Sequence, residues 1–406
     1  MFLQTIQVLA LASVILITIG QNVVNQKLHP YGSFSNIFSE EIEDAMTCNK
    51  FTCKMPDQNF AGNTCGYFVS ANNTVYSQPC EDESLLCFSP NVSQNYTCVI
   101  NDPFPIALPG DKCSKASDCY LLYSKSCTGG ICIGLDLKDS CTSTFQCDPD
   151  SSCRKINGAW QCAALIEAGK TGCLNEYDCE YSAGCSIVSL NDTSKNTCIK
   201  YGSLTPGTKI TNYTCNTNSN VCSSGLCGED NNGNFVCTDE IISSGQTPLS
   251  CPEAYSSTGC ISKEDIYLGH GLNGSCLCAY NPNGDTYCSL QKGDAPYVAL
   301  RNEYSKWQSS SAIKNCNTNW RYPALANSKL QCAADYYDSK DYSAFLYRLL
   351  YVSYYVNIYG SEECVLKTLY PFYLQAKDNF NNGGNGNNTD SSISIALTAF
   401  IAVLAI

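Results

Sequence analysis

Cys113-Ser114-Lys115-Ala116-Ser117-Asp118-Cys119-Tyr120-Leu121-Leu122-Tyr123-Ser124-Lys125-Ser126-Cys127-Thr128-Gly129-Gly130-Ile131-Cys132 is the stretch whose reading decides the fold. It spaces four cysteines as C-x5-C-x7-C-x4-C and offers few large aliphatic side chains. The register recurs at Cys141, Cys147, Cys153 and Cys162, then at Cys173, Cys179, Cys185 and Cys198, then at Cys215, Cys222, Cys227 and Cys237. The first gap is nearly constant and the last varies. That pattern marks one small unit copied in tandem, with a tolerant loop near its end.

Degraded copies flank these four. Asn157-Gly158 and Asn232-Gly233 precede the last cysteine of their units, and Asn-Gly between short extended runs predicts a hairpin. Asn283-Gly284 before Cys288 repeats that ending, which gives a sixth unit read as Cys251, Cys260, Cys278 and Cys288. On the other side Cys65, Cys80, Cys87 and Cys98 form a first unit. Six cysteines remain: the close pair Cys48 and Cys53, and then Cys276, Cys316, Cys332 and Cys364. Cys276 sits inside the sixth unit but is surplus to it, so it is expected to bond into the carboxyl-terminal segment.

The 30 cysteines are an even number, and they read as a disulfide framework in an oxidising compartment. Zinc would favour C-x2-C pairs with histidine; the chain has no C-x2-C and only His29 and His270. Units below about 40 residues rarely bury enough apolar surface to fold unaided. Two bridges, at about 3 kcal/mol each for a loop of ~15 residues, supply what such a core lacks. Four cysteines allow three pairings and spacing does not choose among them; a crossed pairing, first to third and second to fourth, is the expectation. Short linkers such as Ile133 to Ser140 are expected to line the units up as a rod, each unit built of two or three short strands.

The two ends carry signals of their own. Residues 1–20 are nearly all apolar and end in Thr18-Ile19-Gly20, a signal-peptide pattern. Residues 393–406 form an apolar tail, too short for a spanning helix of about 20 residues. With the small polar run Asn381-Asn382-Gly383-Gly384 upstream, it reads as the attachment signal for a glycosylphosphatidylinositol (GPI) anchor. Asn382 is the candidate attachment residue, with Asn381 and Gly383 as alternatives. Asn72, Asn91, Asn95, Asn191, Asn212, Asn273 and Asn387 head Asn-x-Ser/Thr acceptors for N-glycosylation.

Between residues 291 and 378 cysteine thins out and tyrosine concentrates. Tyr342, Phe345, Leu346, Leu349, Leu350 and Val356 recur at helical spacing, with Gly360 as a stop. Further helices are expected through Pro296 to Trp307 and Glu362 to Leu369. The aromatic stripe is read as core. The fold class is therefore small disulfide-rich tandem modules of short β-hairpins and loops, followed by a small disulfide-stapled α-helical domain. Its parts are a signal peptide (1–20), an amino-terminal segment (21–47), a cysteine-rich module (48–100) and four repeats (110–240). A degenerate module (251–290), the tyrosine-rich helical domain (291–378), a linker carrying the anchor site (379–392) and the attachment tail (393–406) follow.

Among the motifs for catalysis, no H-E-x-x-H, G-x-S-x-G or G-x4-G-K-[ST] loop occurs. His270 reads as an exposed loop histidine, and an even cysteine count leaves no thiol over. Asp148-Pro149-Asp150 and Glu229-Asp230-Asn231-Asn232-Gly233 cluster oxygen atoms without the spacing of a calcium loop. No catalytic residue, cofactor or metal is expected. A net charge of −13 argues against nucleic acid and anionic lipid as partners.

Gly110-Asp111-Lys112-Cys113 with Ser117-Asp118-Cys119, Thr128-Gly129-Gly130-Ile131-Cys132 and Cys276-Leu277-Cys278 carry a family likeness. Together with the end signals, they make the chain resemble the cysteine-rich, GPI-anchored surface proteins of ciliates and similar protists. The units are similar to the amino-terminal cysteine-rich module of Dickkopf proteins and, more loosely, to EGF modules. The resemblance implies the extracellular face of a plasma or ciliary membrane. The expected function is non-enzymatic: coat, adhesion or recognition, with other surface proteins or glycans as partners and the membrane reached through the lipid anchor. The alternatives are a ligand-binding receptor subunit acting through a transmembrane partner, then a secreted hydrolase or protease inhibitor.

Overall fold

The computed structural model describes residues 47–382 apart from 61, 83–84, 89–94, 101–106, 121, 231, 239–247, 252–259, 261–274, 291–293, 322–331 and 333–338. The signal segment, the attachment tail, His29 and His270 lie outside the described residues.

Every cysteine is used: 15 disulfides form and no thiol is free. The four clear repeats adopt the crossed pairing, as in Cys113–Cys127 with Cys119–Cys132 and Cys141–Cys153 with Cys147–Cys162. The third and fourth follow suit. So does the first unit, through Cys65–Cys87 and Cys80–Cys98.

Each repeat is one hairpin and one tight turn around its two sulfur bridges. Strands β1 to β5 belong to the first unit: Lys50–Cys53, Thr64–Val69, Thr74–Ser77, Leu85–Phe88 and Tyr96–Ile100. The repeats contribute β6 (Ser126–Thr128) with β7 (Ile131–Ile133), β8 (Ser151–Ile156) with β9 (Ala159–Ala164), β10 (Ala183–Ser186) with β11 (Thr197–Lys200), and β12 (Cys227–Glu229) with β13 (Phe235–Cys237). In every hairpin the third and fourth cysteines sit opposite each other, as Cys127 does to Cys132 and Cys153 to Cys162. Asn157 and Gly158 both take positive φ (51° and 88°), the two-residue turn whose twist matches a hairpin.

The constant first gap also has a cause. A single 3₁₀ turn precedes the second cysteine, and the residue just before that cysteine reaches back to the start of the gap. Asp118 accepts from the Ser114 and Lys115 amides (2.8 and 3.0 Å), Gln146 from Thr142 and Ser143 (2.8 and 3.2 Å), and Asp178 from Leu174 and Asn175 (2.7 and 3.3 Å). A loop closed this way fixes its own length. The fourth repeat places the short helix α1 (Asn212–Asn218) ahead of its 3₁₀ turn (Ser219–Val221), with Val221 before the cysteine, and its gap is one residue longer.

Linkers are structured too. After each fourth cysteine the chain forms a parallel bridge with the second cysteine of the next repeat: Leu135 with Cys147, Ile166 with Cys179, Leu204 with Cys222. Successive repeats are therefore hydrogen-bonded neighbours.

Two expectations need correction in the sixth unit. Cys276 does not bond into the carboxyl-terminal segment; it pairs with Cys251 inside the unit, while Cys260 pairs with Cys288. Strands β14 (Cys276–Cys278) and β15 (Thr286–Cys288) explain why. Their register sets Cys276 opposite Cys288 and Cys278 opposite Thr286, so Cys276 holds the third-cysteine place. Cys278 is the surplus residue, and it bonds Cys48. The first unit is also larger than two or three strands. Its five-stranded sheet, in the order β1-β3-β2-β5-β4, includes β1 from the leading cysteine pair, running parallel to β3.

The helices are α2 (Ala295–Gln308), α3 (Lys340–Ile358), α4 (Glu363–Leu369) and α5 (Pro371–Asn381). Gly360, at φ 67°, follows α3. Pro371 opens α5, where a proline costs no helical hydrogen bond. Their contacts are aromatic: Tyr304 meets Phe345 edge-on at 5.1 Å, and Tyr347 stacks on Phe380 at 4.9 Å. Phe345, Leu346, Leu350, Tyr355 and Val356 are buried, so the tyrosine stripe packs inward.

Candidate functional site

Among the described residues, the sites expected from sequence fall at the surface. Asn72, Asn95, Asn191 and Asn212 are all exposed. Asn212 is the first residue of α1, while Thr214 of the same acceptor motif is buried and hydrogen-bonded to Thr211. Asn91, Asn273 and Asn387 lie outside the described residues. Asn381 ends α5 and Asn382 caps it, both exposed; Gly383 is outside. Among the described residues no helix is long and apolar enough to cross a membrane. Cysteine sulfurs crowd within 4.8 Å of one another in several units, but metal needs thiolates and these sulfurs are bonded to each other. Asp230 has its carboxylate taken up by Asn232 and Asn234.

The most ordered chemistry lies where sequence reading placed none, at the contact of residues 311–321 and Cys332 with the first three repeats. We call this segment the clamp; Cys316–Cys332 closes it. Spacing between separate units gave no sign of it, because each partner lies more than 130 residues away in the chain.

Arg321 is fully buried in the third repeat. Its Nη1 donates to the carbonyls of Glu180 (2.9 Å), Tyr181 (3.2 Å) and Ala183 (2.8 Å), and its Nη2 donates to Cys179 (2.5 Å). The guanidinium also lies 5.8 Å from the centre of the Tyr181 ring. A planar fork of donors suits a ring of carbonyls better than a point charge would. Asn317 and Thr318 extend the pattern. Asn317 Nδ2 donates to the Phe145 and Cys147 carbonyls (3.3 and 2.9 Å) in the second repeat, and Thr318 Oγ1 donates to Tyr177 (3.1 Å) in the third. Phe145 and Tyr177 stand at the same place, two residues before the second cysteine. The clamp thus reads equivalent carbonyls on successive repeats.

The first repeat is held through Gly110 and Asp111. Gly110, at φ 96°, lies so close to the clamp backbone that a Cβ there would meet the Asn315 carbonyl oxygen at 2.4 Å. Asp111 is only 3 % exposed and accepts three N–H bonds, from Leu108 (2.8 Å), from Trp320 Nε1 (3.0 Å) and from the Cys332 amide (3.2 Å). Burial pushes its carboxyl up to about 7, against the pull of those three donors. The sequence motif that carried the family likeness, Gly110-Asp111-Lys112-Cys113, is therefore half occupied with receiving the clamp.

A second join ties the ends. Cys53–Cys364 and Cys48–Cys278 link the leading pair to α4 and to the sixth unit. Glu362 accepts from Thr52 Oγ1 and the Cys53 amide, both at 2.7 Å, and Phe51 stacks on Tyr280 at 4.2 Å. The helices do not stand apart from a free rod, as the sequence suggested; they fold back along the modules and lock them.

Comparison with protein-family models, curated proteins and solved structures finds no match to this chain.

Proposed function

We propose that this chain is a non-enzymatic, GPI-anchored cell-surface glycoprotein with a coat, adhesion or recognition role. The observation that carries the reading is the complete use of all cysteines in 15 disulfides, which belongs to an extracellular or secreted protein. The end signals add the anchor: a leader to enter the secretory route, and small residues at Asn381, Asn382 and Gly383 before an apolar tail. Exposure of Asn72, Asn95, Asn191 and Asn212 supports glycans on the first unit and on the third and fourth repeats. Residues 101–190 hold no acceptor motif, leaving the first two repeats free of N-glycan and open to protein or glycan partners. The likeness to ciliate surface proteins belongs to this proposal as well.

Treatment of intact cells with a GPI-specific phospholipase tests it. The glycosylated chain is expected in the supernatant, ending at Asn382 and so lacking residues 383–406 by mass spectrometry. Retention on the membrane with that tail still attached overturns the anchor.

A further inference from the structure

Helix α3 is a ruler, because different modules pack along its length. At its amino-terminal end Tyr342 packs with Trp307 and Ile313, in a cluster that also takes in Tyr181 of the third repeat and Leu165 of the linker before it. Midway, Leu349 and Val352 pack with Leu300 of α2. There Gly225 of the fourth repeat lies so close to Arg301 of α2 that a Cβ would come 2.7 Å from its Nη1. At the carboxyl-terminal end Tyr355 and Val356 pack with Ala279 of the sixth unit, and the Tyr280 amide donates to the Asn357 carbonyl (3.0 Å). Phe51 of the first unit stacks on that same Tyr280. The helical rise from Tyr342 to Val356 sets the two ends about 20 Å apart.

Helix α5 lies antiparallel along this ruler. Tyr370, just ahead of it, contacts Tyr354 at 4.6 Å; Tyr373 stacks on Tyr351 at 6.3 Å, and Phe380 on Tyr347 at 4.9 Å. Helical side chains lean toward the amino terminus, so the backbone of α5 reaches further along than its rings do. At equal rise from the contact of Tyr370 with Tyr354, Asn382 comes level with Tyr342. The chain therefore leaves α5 at the end where the clamp holds the first three repeats, and not at the end that carries the first and sixth units. Asn382 is also the candidate anchor residue. It caps α5 directly, its amide donating to the Asp378 carbonyl at 2.9 Å, so no linker separates the attachment point from the folded body.

We infer that the protein stands with its first three repeats beside its own membrane and its first unit turned outward. The inference rests on the anchor proposed above. The first two repeats, which hold no N-glycan acceptor, then meet proteins held in the same membrane. The five-stranded sheet of the first unit, with Asn72 and Asn95 exposed on that unit, is what an approaching cell or soluble ligand reaches first.

Two lysines are matched reporters of this orientation. Lys306, near the end of α2, pairs with Glu303 at 2.8 Å, lies 3.8 Å from Asp341 at the start of α3, and has a side chain 51 % exposed. Lys367, in α4 beyond the other end of α3, pairs with Glu363 at 2.7 Å and is 56 % exposed. The anchored protein is placed in phosphatidylcholine vesicles that carry an amine-reactive ester on a lipid headgroup, and modification of each lysine is read by mass spectrometry. Each rate is divided by the rate with the same ester free in solution. Lys306 is expected to react about tenfold faster than Lys367, since a reagent held in the membrane is concentrated near the anchor. Equal rates, or a faster reaction at Lys367, on a chain that GPI-specific phospholipase releases from the vesicles overturn the orientation and leave the anchor standing. A chain that the phospholipase does not release overturns both.

Discussion

The repeats and the helices solve the same problem with different matter. In the second repeat the buried cluster is four cysteines, Cys141, Cys147, Cys153 and Cys162, with Leu135 against them. In the helices it is Leu346, Leu350, Tyr370, Tyr373 and Ala376, surrounded by further tyrosines. Sulfur bridges restrain the unfolded chain, whereas aromatic burial stabilises the folded one. The difference teaches that the second repeat is built round its cysteines and its closing turn. The helical part depends on the shape of each large residue.

Where the two regimes meet, substitution is expected to cost most. Arg321→Ala strips four buried carbonyls of the third repeat of their donor, and a destabilisation of about 5 kcal/mol is expected, the scale of breaking a buried charged network. Thermal unfolding of the secreted protein checks it. A loss near 1 kcal/mol would mean that the repeats stand without the clamp. Next in size is Phe345→Ala in the aromatic core, where the side chain is fully buried and about 4 kcal/mol is expected from lost burial and the cavity left behind. Smaller is removal of one bridge, Cys141→Ser with Cys153→Ser, at about 3 kcal/mol from a short closed loop. Limited proteolysis sharpens the comparison. The bridge variant is expected to expose cleavage within its own repeat, and the Phe345 variant to expose cleavage across α2, α3 and α5 together.

Much of this was legible in residues. The C-x5-C gap marked the closing turn, although the hydrogen bonds of Asp118, Gln146 and Asp178 that fix its length were not visible in spacing alone. Asn157-Gly158 announced its hairpin. Cys276 and Cys278 could not be told apart, because two residues along a strand face the same side. Only the register with Cys288 separates them. Helix α5 went unread because Pro371 looks like a stop after α4 until it is seen as a start.

Sequence by itself determined the modules, the even cysteine count and the aromatic helices, because spacing, turn chemistry and periodicity are local properties of the chain. Tertiary structure alone decided that Arg321, Asn317 and Trp320 would find carbonyls and a carboxyl in three successive repeats. Those contacts join segments more than a hundred residues apart, all but the Trp320–Asp111 bond through backbone carbonyls, and a backbone carbonyl carries no mark in the sequence.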